Sequence, residues 1–124
     1  MSSFFLVLSA PIIGTLGQVF LKIGMREVGE VTFFELRYNT FSILLTMLSN
    51  PWIIIAIPLY AGGFILWLII LSKFNLSFAY PFLALSFIMV PLAATIIIGE
   101  NISIMRWAGI FVIFSGVVII GISK

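Results

Sequence analysis

No charged side chain occurs between Lys73 and Glu100, and most of the residues between them are apolar. About 20 apolar residues in a helix cross the ~30 Å hydrocarbon core of a bilayer, so this stretch predicts a membrane span. It contains Pro81 and Pro91, each of which removes a backbone donor, together with several hydroxyl side chains. A simple anchor has no use for these features, and we interpret the stretch as the wall of a polar path across the membrane.

The composition of the chain excludes several classes of function. Hydrophobic residues make up 63% of the sequence and charged residues 8%, whereas soluble domains have about 25% charged residues. The absence of Cys and His leaves no disulfide and no usual transition-metal ligands, so we expect no metal and no cofactor. The glutamates lie outside the middle of the apolar runs, which leaves no acid–base pair for an enzyme. A net charge of +2 gives no reason to expect a nucleic-acid partner.

The hydropathy pattern predicts an all-α integral membrane protein with four transmembrane helices in a single membrane domain, residues 1–124. The four spans are expected at about residues 4–23, 52–71, 76–98 and 102–122. Between the first two, residues 32–49 alternate a polar and an apolar stripe at helical spacing, which predicts an amphipathic helix. That helix either lies along the membrane surface or enters the membrane with its polar stripe turned inward. Residues 24–31 are expected to form a charged turn, and Lys124 to end the fourth span.

The first span carries a possible anion site. Gln18 and Lys22 are four residues apart and share one helix face, and Lys22 lies about 27 Å along the helix from Phe4. Lys22 is either a lysine that reaches the headgroups from the helix end, or a cation facing an internal cavity. It is the single charged candidate at membrane depth, with no carboxylate there, so its cargo should be negative. Arg37 is either a solvated headgroup contact or a second phosphate ligand.

Prolines and glycines indicate how the helices bend and pack. Helix kinks are expected at Pro11, Pro58, Pro81 and Pro91. Gly109 and Gly116 give the fourth span a face of small residues, for a second subunit or for the chain's own helices. Glu100 is interpreted as a helix cap or surface carboxylate at the start of the fourth span.

Several motifs resemble one family of small membrane proteins. They are Leu66-Trp67-Leu68, Ala79-Tyr80-Pro81, Gly99-Glu100, Trp107 with Gly109, Gly116-Val117, and Gly17-Gln18 with Lys22. Together they resemble small four-span members of the drug/metabolite transporter superfamily, related to EamA-like proteins. The resemblance is greatest to the small subunits of the aminoarabinose-phosphoundecaprenol flippase (ArnE/ArnF type). The amphipathic helix is longer here than in those subunits.

The resemblance implies a flippase that moves a polyprenyl-phosphate-linked sugar between leaflets of the cytoplasmic (inner) membrane. For such a flippase we expect Lys22 and Gln18 to hold the phosphate, with Arg37 as the candidate second cation. Ser77, Tyr80 and Ser86 are expected to offer hydrogen bonds to the sugar. The more distant small multidrug resistance exporters use a membrane-embedded glutamate in their first span. Gly14 takes that position here, so the carboxylate needed for proton-coupled export of a cation is missing.

Two other functions stay open. One is an exporter of small cationic or neutral compounds, coupled through Glu100. The other is a membrane subunit that supports a glycosyltransferase and transports nothing itself. For a transporter, a chain of four spans needs a partner to complete a repeat interface, so we expect a homodimer, with an antiparallel arrangement favoured, or a heterodimer with a sister subunit.

Overall fold

The computed structural model describes residues Ser2–Ser123, and within them the regular structure is helical throughout. Lys124, expected to end the fourth span, lies outside the described residues. The α-helices are α1 Ser2–Val28, α2 Phe33–Ser49, α3 Pro51–Lys73, α4 Leu76–Leu83, α5 Ser86–Ala93 and α6 Ile104–Ile122, with a π-helical segment at Ala94–Ile98 between α5 and α6. Together, α4, α5 and the π segment form one continuous run, Leu76–Ile98, called the third span below.

Within the described part of the chain, four helical stretches are long and apolar enough to cross a membrane: α1, α3, the third span and α6. Helices are favoured in lipid because they satisfy every backbone donor and acceptor within the segment itself. The fifth helix, α2, lies between the first two spans. The predicted fold class, an all-α integral membrane protein with four transmembrane helices and one additional helix, is therefore confirmed.

Helix α1 is longer than expected, because the turn predicted at residues 24–31 is helical as far as Val28. Gly24 lies so close to α3 that an added Cβ would be 2.6 Å from Cγ1 of Ile53. One turn on, the Glu27 carboxylate accepts hydrogen bonds from Nδ2 of Asn50 (2.8 Å) and Nε1 of Trp52 (3.2 Å). These contacts bind the end of α1 to the start of α3 and keep the last turn of α1 folded.

The core of the bundle lies at the opposite end of α1. There, α1 packs against the end of α3 and the beginning of the third span. The buried residues of this cluster are Val7, Ala10, Ile70, Ala79 and Phe82. In lipid, close packing and not water exclusion supplies most of the energy of such contacts. The large apolar side chains of α6 are mostly exposed, as expected for a helix that faces lipid or a second chain.

The third span is interrupted, whereas α1 and α3 continue as α-helices through Pro11 and Pro58. Three residues after Pro81, the chain tightens into 3₁₀-type bonds, with the Ala84 N–H donating to the Pro81 carbonyl at 3.0 Å. Three residues after Pro91, it widens into the π segment. Short 3₁₀ and π stretches within a long helix re-pair backbone groups that a proline leaves without a donor.

Helix α2 begins with a capping box. Thr32 accepts a hydrogen bond from the Glu35 N–H, and the Glu35 carboxylate accepts one from the Thr32 N–H. The backbone is non-helical at Asn39, which divides α2 in two. Its polar stripe borders the loop that follows α1, while its apolar stripe is exposed. That exposed stripe consists of Phe34, Tyr38, Phe41, Leu45 and Leu48. The position of α2 at the membrane surface stays a prediction.

Candidate functional site

An open groove runs between α1 and the third span. Its larger part has a volume of about 430 Å³ and is mainly apolar. The residues that line it are Gly14, Gln18, Tyr60, Leu83, Ser86, Phe87, Val90 and Pro91. A smaller part, about 210 Å³, shares Gln18 and Val90 with the first and continues toward the end of the third span. The two parts together give one groove with an apolar end and a polar end.

Helix α1 places three groove residues on one face because they follow one another at intervals of four residues. Gly14 lines the apolar end, Gln18 borders both parts, and Lys22 lines the polar end. Between them, Gly17 lets α3 approach closely, since a Cβ there would lie 2.9 Å from Cε2 of Tyr60. The Tyr60 ring therefore covers Gly17 and forms part of the groove wall.

The polar end contains an ion pair. The Lys22 Nζ lies 3.7 Å from Oε1 of Glu100, and both side chains are about half exposed. Lys22 has no carboxylate partner within its own span, as expected, but the structure adds one from outside that span, at the end of the third span. Glu100 lies far away in the sequence, but the third span runs alongside α1 and ends level with Lys22, so the two groups meet.

The end of the third span determines where Glu100 lies. Gly99 has a φ of +78°, a left-handed conformation that glycine adopts without a steric penalty. This reverses the chain and lets the Glu100 N–H donate to the Ala94 carbonyl at 3.1 Å. Nη1 of Arg26 donates to the Ile98 carbonyl at 3.4 Å, which satisfies one of the carbonyls that a helix end leaves unpaired. Arg26 thus brings a second cation to this end of the groove.

Glu100 is not a helix cap. The N-cap of α6 is Ser103, whose hydroxyl accepts a hydrogen bond from the Arg106 N–H at 3.3 Å. Glu100 lies three residues earlier, outside the reach of an N-cap, and its carboxylate contacts Lys22. Of the two interpretations of Glu100, the helix cap is therefore wrong, whereas the surface carboxylate agrees with its exposed side chain.

The wall contributed by the third span is less polar than expected. Leu83, Phe87 and Val90 provide most of it, and Ser86 supplies the hydroxyl. Elsewhere in this span, the Thr95 hydroxyl donates to the Pro91 carbonyl at 2.9 Å. Within Ser2–Ser123, Ser86 makes no comparable bond, so its hydroxyl is available to a ligand in the groove.

The other proposed ligands are separated from Lys22. Ser77 lines a different pocket, at the beginning of the third span. Tyr80 is exposed, with its ring 6.4 Å from that of Trp67, and Arg37 lies on α2 with its guanidinium 6.0 Å from the Tyr38 ring centre. None of the three lines the groove. The structure therefore brings together Gln18, Lys22 and Ser86, and places Ser77, Tyr80 and Arg37 elsewhere.

The glycine face of α6 is open. A Cβ added to Gly109 or to Gly116 would meet no heavy atom within 4 Å among the described residues. Neither glycine is thus needed for close packing against the chain's own helices.

Comparison with known proteins identifies similar membrane proteins. One aligned relative is a probable 4-amino-4-deoxy-L-arabinose-phosphoundecaprenol flippase subunit ArnE from Pseudomonas savastanoi pv. phaseolicola. It is 29% identical over 116 residues, which cover 94% of this chain and 94% of that protein. This chain is similar to ArnE-type subunits over nearly its full length.

Shorter alignments give higher identity. The probable ArnE subunits of Pseudomonas fluorescens and Yersinia pestis are 31% and 36% identical over 72 residues. Those 72 residues are 58% of this chain and 63% of each relative, so the alignment spans less than two thirds of these ArnE subunits. No family model matches the chain. No solved structure matches it either.

Some groove residues were not singled out as ligands from the sequence. Gly14 was noted only through its alignment with the glutamate of small multidrug exporters, and it lines the groove where that carboxylate would be. Nothing in the sequence indicates that Tyr60 or Arg26 lies at the groove, because their roles depend on which helices are neighbours. The sequence alone does not show that the first and third spans are neighbours in the bundle.

Proposed function

We propose that this chain is a membrane transporter of the drug/metabolite type that flips a polyprenyl-phosphate-linked sugar, or a similar anionic lipid, between leaflets. The observation that carries the proposal is the groove between α1 and the third span, apolar over most of its length and polar at one end, where Lys22 lies. A molecule with an anionic head and a long hydrocarbon tail matches that division. The similarity to ArnE-type subunits supports the same class of cargo.

The charges at the polar end favour an anion. Lys22 and Arg26 lie near the end of the third span, opposed there by Glu100. Glu27 follows Arg26 in the sequence, but its carboxylate is occupied by Asn50 and Trp52 on the α3 side. Glu27 keeps its negative charge despite these hydrogen bonds, so the excess of one positive charge applies only to the groove face, where Lys22 and Arg26 are opposed by Glu100. A phosphate that replaces Glu100 as the partner of Lys22 would form charge-assisted hydrogen bonds, which are stronger than neutral ones.

A cation exporter has one observation in its favour, since the Glu100 carboxylate lines the polar end. A cationic compound bound there would have to displace Lys22 and would then lie beside two cations. Repulsion between like charges opposes that arrangement. The geometry therefore supports the flippase more than the exporter.

The proposed partner is a second membrane chain, either another copy in antiparallel arrangement or a sister subunit. The groove is open, α6 exposes many large apolar side chains, and the face at Gly109 and Gly116 has free space around it. A second four-span chain packed there would complete a repeat interface of the kind that secondary transporters use. We assign the assembly to the cytoplasmic (inner) membrane, in agreement with the lipid named for the relatives.

The proposal is tested by reconstitution. The purified chain, alone and with a candidate sister subunit, is placed in vesicles containing an undecaprenyl-phosphate-linked sugar, and headgroup accessibility from outside is followed over time. Wild type should accelerate flipping, and Lys22→Met should reduce the rate at least tenfold. Arg37→Met is the matched control, because it removes a cation outside the groove, and its rate should stay within twofold of wild type.

The same vesicles separate the alternatives. Uptake of a quaternary ammonium compound that is lost in Glu100→Gln, without lipid flipping, would identify a cation exporter. A stable complex with a glycosyltransferase, and no transport of either compound by any reconstituted combination, would identify a non-transporting subunit.

A further inference from the structure

A second polar pocket lies at the other end of the third span. It is open, has a volume of about 580 Å³ and is formed where α3 passes into α4, next to the end of α6. The residues that line it are Lys73, Phe74, Asn75, Ser77, Phe78, Ile120 and Ser123. We propose that this pocket, called the Lys73 pocket below, binds the phosphate-bearing headgroup of an anionic membrane lipid.

The charge at this end of the molecule is positive. Lys73 is exposed in the last turn of α3. The glutamates lie at the other end: Glu27 contacts the start of α3, Glu30 and Glu35 belong to the adjoining loop and α2, and Glu100 pairs with Lys22. The 23 residues of α3 separate the two ends by about 35 Å at 1.5 Å per residue. No acidic side chain among the described residues therefore competes with a phosphate for Lys73.

Among the described residues, two hydrogen-bonding side chains of the Lys73 pocket, Asn75 and Ser77, are unused. Asn75 holds the N-cap position of α4, but its side chain makes no cap hydrogen bond. By contrast, Asn50 in the equivalent position of α3 accepts a hydrogen bond from the Trp52 N–H at 3.0 Å. The Ser77 hydroxyl, in the first turn of α4, likewise bonds no carbonyl within Ser2–Ser123. An amide and a hydroxyl beside a lysine are suitable donors for phosphate oxygens and for headgroup hydroxyls.

Aromatic rings form the apolar wall of the Lys73 pocket. Phe74 and Phe78 stack with their ring centres 5.7 Å apart and their planes 27° apart. Such a wall accommodates the glycerol or sugar carbons of a headgroup and the first methylenes of its tail. One pocket thus contains groups that can bind the charge, the hydroxyls and the carbon skeleton of a lipid headgroup.

The position of the Lys73 pocket deepens the proposed function, and this part of the inference rests on it. The third span is 23 residues long, about 35 Å as a helix, which exceeds the ~30 Å hydrocarbon core. Lys22 lies at one end of that span and Lys73 at the other. A flipped headgroup would then have one cationic pocket at each membrane face. Binding of an anionic lipid at Lys73 does not itself require flipping.

The test counts lipids bound to the full chain. Wild type and variants are purified from nanodiscs of phosphatidylglycerol and phosphatidylcholine, and the retained phosphatidylglycerol is counted by native mass spectrometry. We expect Lys73→Met to lower its occupancy at least fivefold, Asn75→Ala with Ser77→Ala to lower it severalfold, and Lys73→Arg to restore it. Ser72→Ala is the matched control, because the Ser72 hydroxyl donates to the Ile69 carbonyl at 2.6 Å.

Lipid and free anion are distinguished by adding inorganic phosphate at millimolar concentration. Retention of phosphatidylglycerol in its presence supports a lipid headgroup site, whereas displacement shows a site for soluble phosphate and overturns the lipid assignment. Equal retention by wild type and Lys73→Met overturns the proposal altogether. If Lys73→Met loses the lipid while wild type flips nothing, only the proposed function fails. If Lys73→Met retains as much phosphatidylglycerol as wild type and flipping is normal, the Lys73 pocket proposal fails and the proposed function stands.

Discussion

The Lys22 ammonium lies 3.7 Å from the Glu100 carboxylate, and both side chains line the polar end of the groove between α1 and the third span. An anionic headgroup that binds Lys22 must compete with Glu100. If the proposed function holds, the pair lowers the affinity of the groove for its cargo, because the carboxylate already occupies the cation that an anionic headgroup would use.

Replacing Glu100 with Gln should strengthen anion binding. A half-exposed ion pair contributes at most about 1 kcal/mol, so its removal should raise affinity for an anionic lipid by about fivefold. The thermal midpoint in detergent should change little for the same reason. Binding is measured by titrating the variant with a polyprenyl phosphate. Asn101→Asp is a useful comparison, since it adds a carboxylate next to Glu100 and should weaken binding. Weaker anion binding by Glu100→Gln would contradict the competition between Glu100 and the headgroup.

Replacing Gly24 with Ala should loosen the contact between α1 and α3. The new Cβ would lie 2.6 Å from Cγ1 of Ile53 and 3.0 Å from Oδ1 of Asn50, which forces the helices apart. Overpacking of this kind costs about 1–3 kcal/mol. The measurement is unfolding in mixed micelles with increasing dodecyl sulfate. Gly62→Ala is the control, because its Cβ would meet nothing within 4 Å among the described residues. Equal stability of the two variants would show that the close approach at Gly24 is absent in the membrane.

Replacing Gly116 with Leu should disperse the proposed dimer. Gly116 has free space around it within the chain, so a larger side chain there leaves the monomer intact and blocks only an approaching helix. The oligomeric state is read from light scattering in detergent. Gly62→Leu introduces the same bulk on α3 and should leave the assembly unchanged. An intact oligomer in Gly116→Leu would place the interface on another helix.

The fold could be predicted from the sequence because the bilayer allows few alternatives. Runs of apolar residues must become helices when lipid offers no hydrogen bonds, and the periodicity of residues 32–49 identified α2. The bounds were less accurate where a tertiary contact intervened. Gly24 and Glu27 continue α1 because α3 packs against them, and a composition of glycine and charged residues gives no sign of that.

The site could be predicted only in part. Helix spacing correctly placed Gln18 and Lys22 on one face, since both belong to α1. Contacts between helices could not be obtained in this way, because periodicity describes a helix and not its neighbours. Glu100 is far from Lys22 in the sequence, and its contact depends on the left-handed turn at Gly99.

The length of the third span explains why the other ligands are separated. Ser77 and Ser86 are nine residues apart, about 13 Å along a helix, so one headgroup does not contact both. The two hydroxyls lie at different depths, with Ser86 in the groove and Ser77 in the Lys73 pocket.

The most direct test of the account is the lipid that the groove retains. Wild type, Lys22→Met and Lys22→Arg are purified from membranes containing an undecaprenyl-phosphate-linked sugar and analysed by native mass spectrometry. The account predicts one tightly bound polyprenyl phosphate per chain in wild type, its loss in Lys22→Met and its recovery in Lys22→Arg. The same polyprenyl phosphate occupancy in wild type and Lys22→Met would contradict an anion site at Lys22.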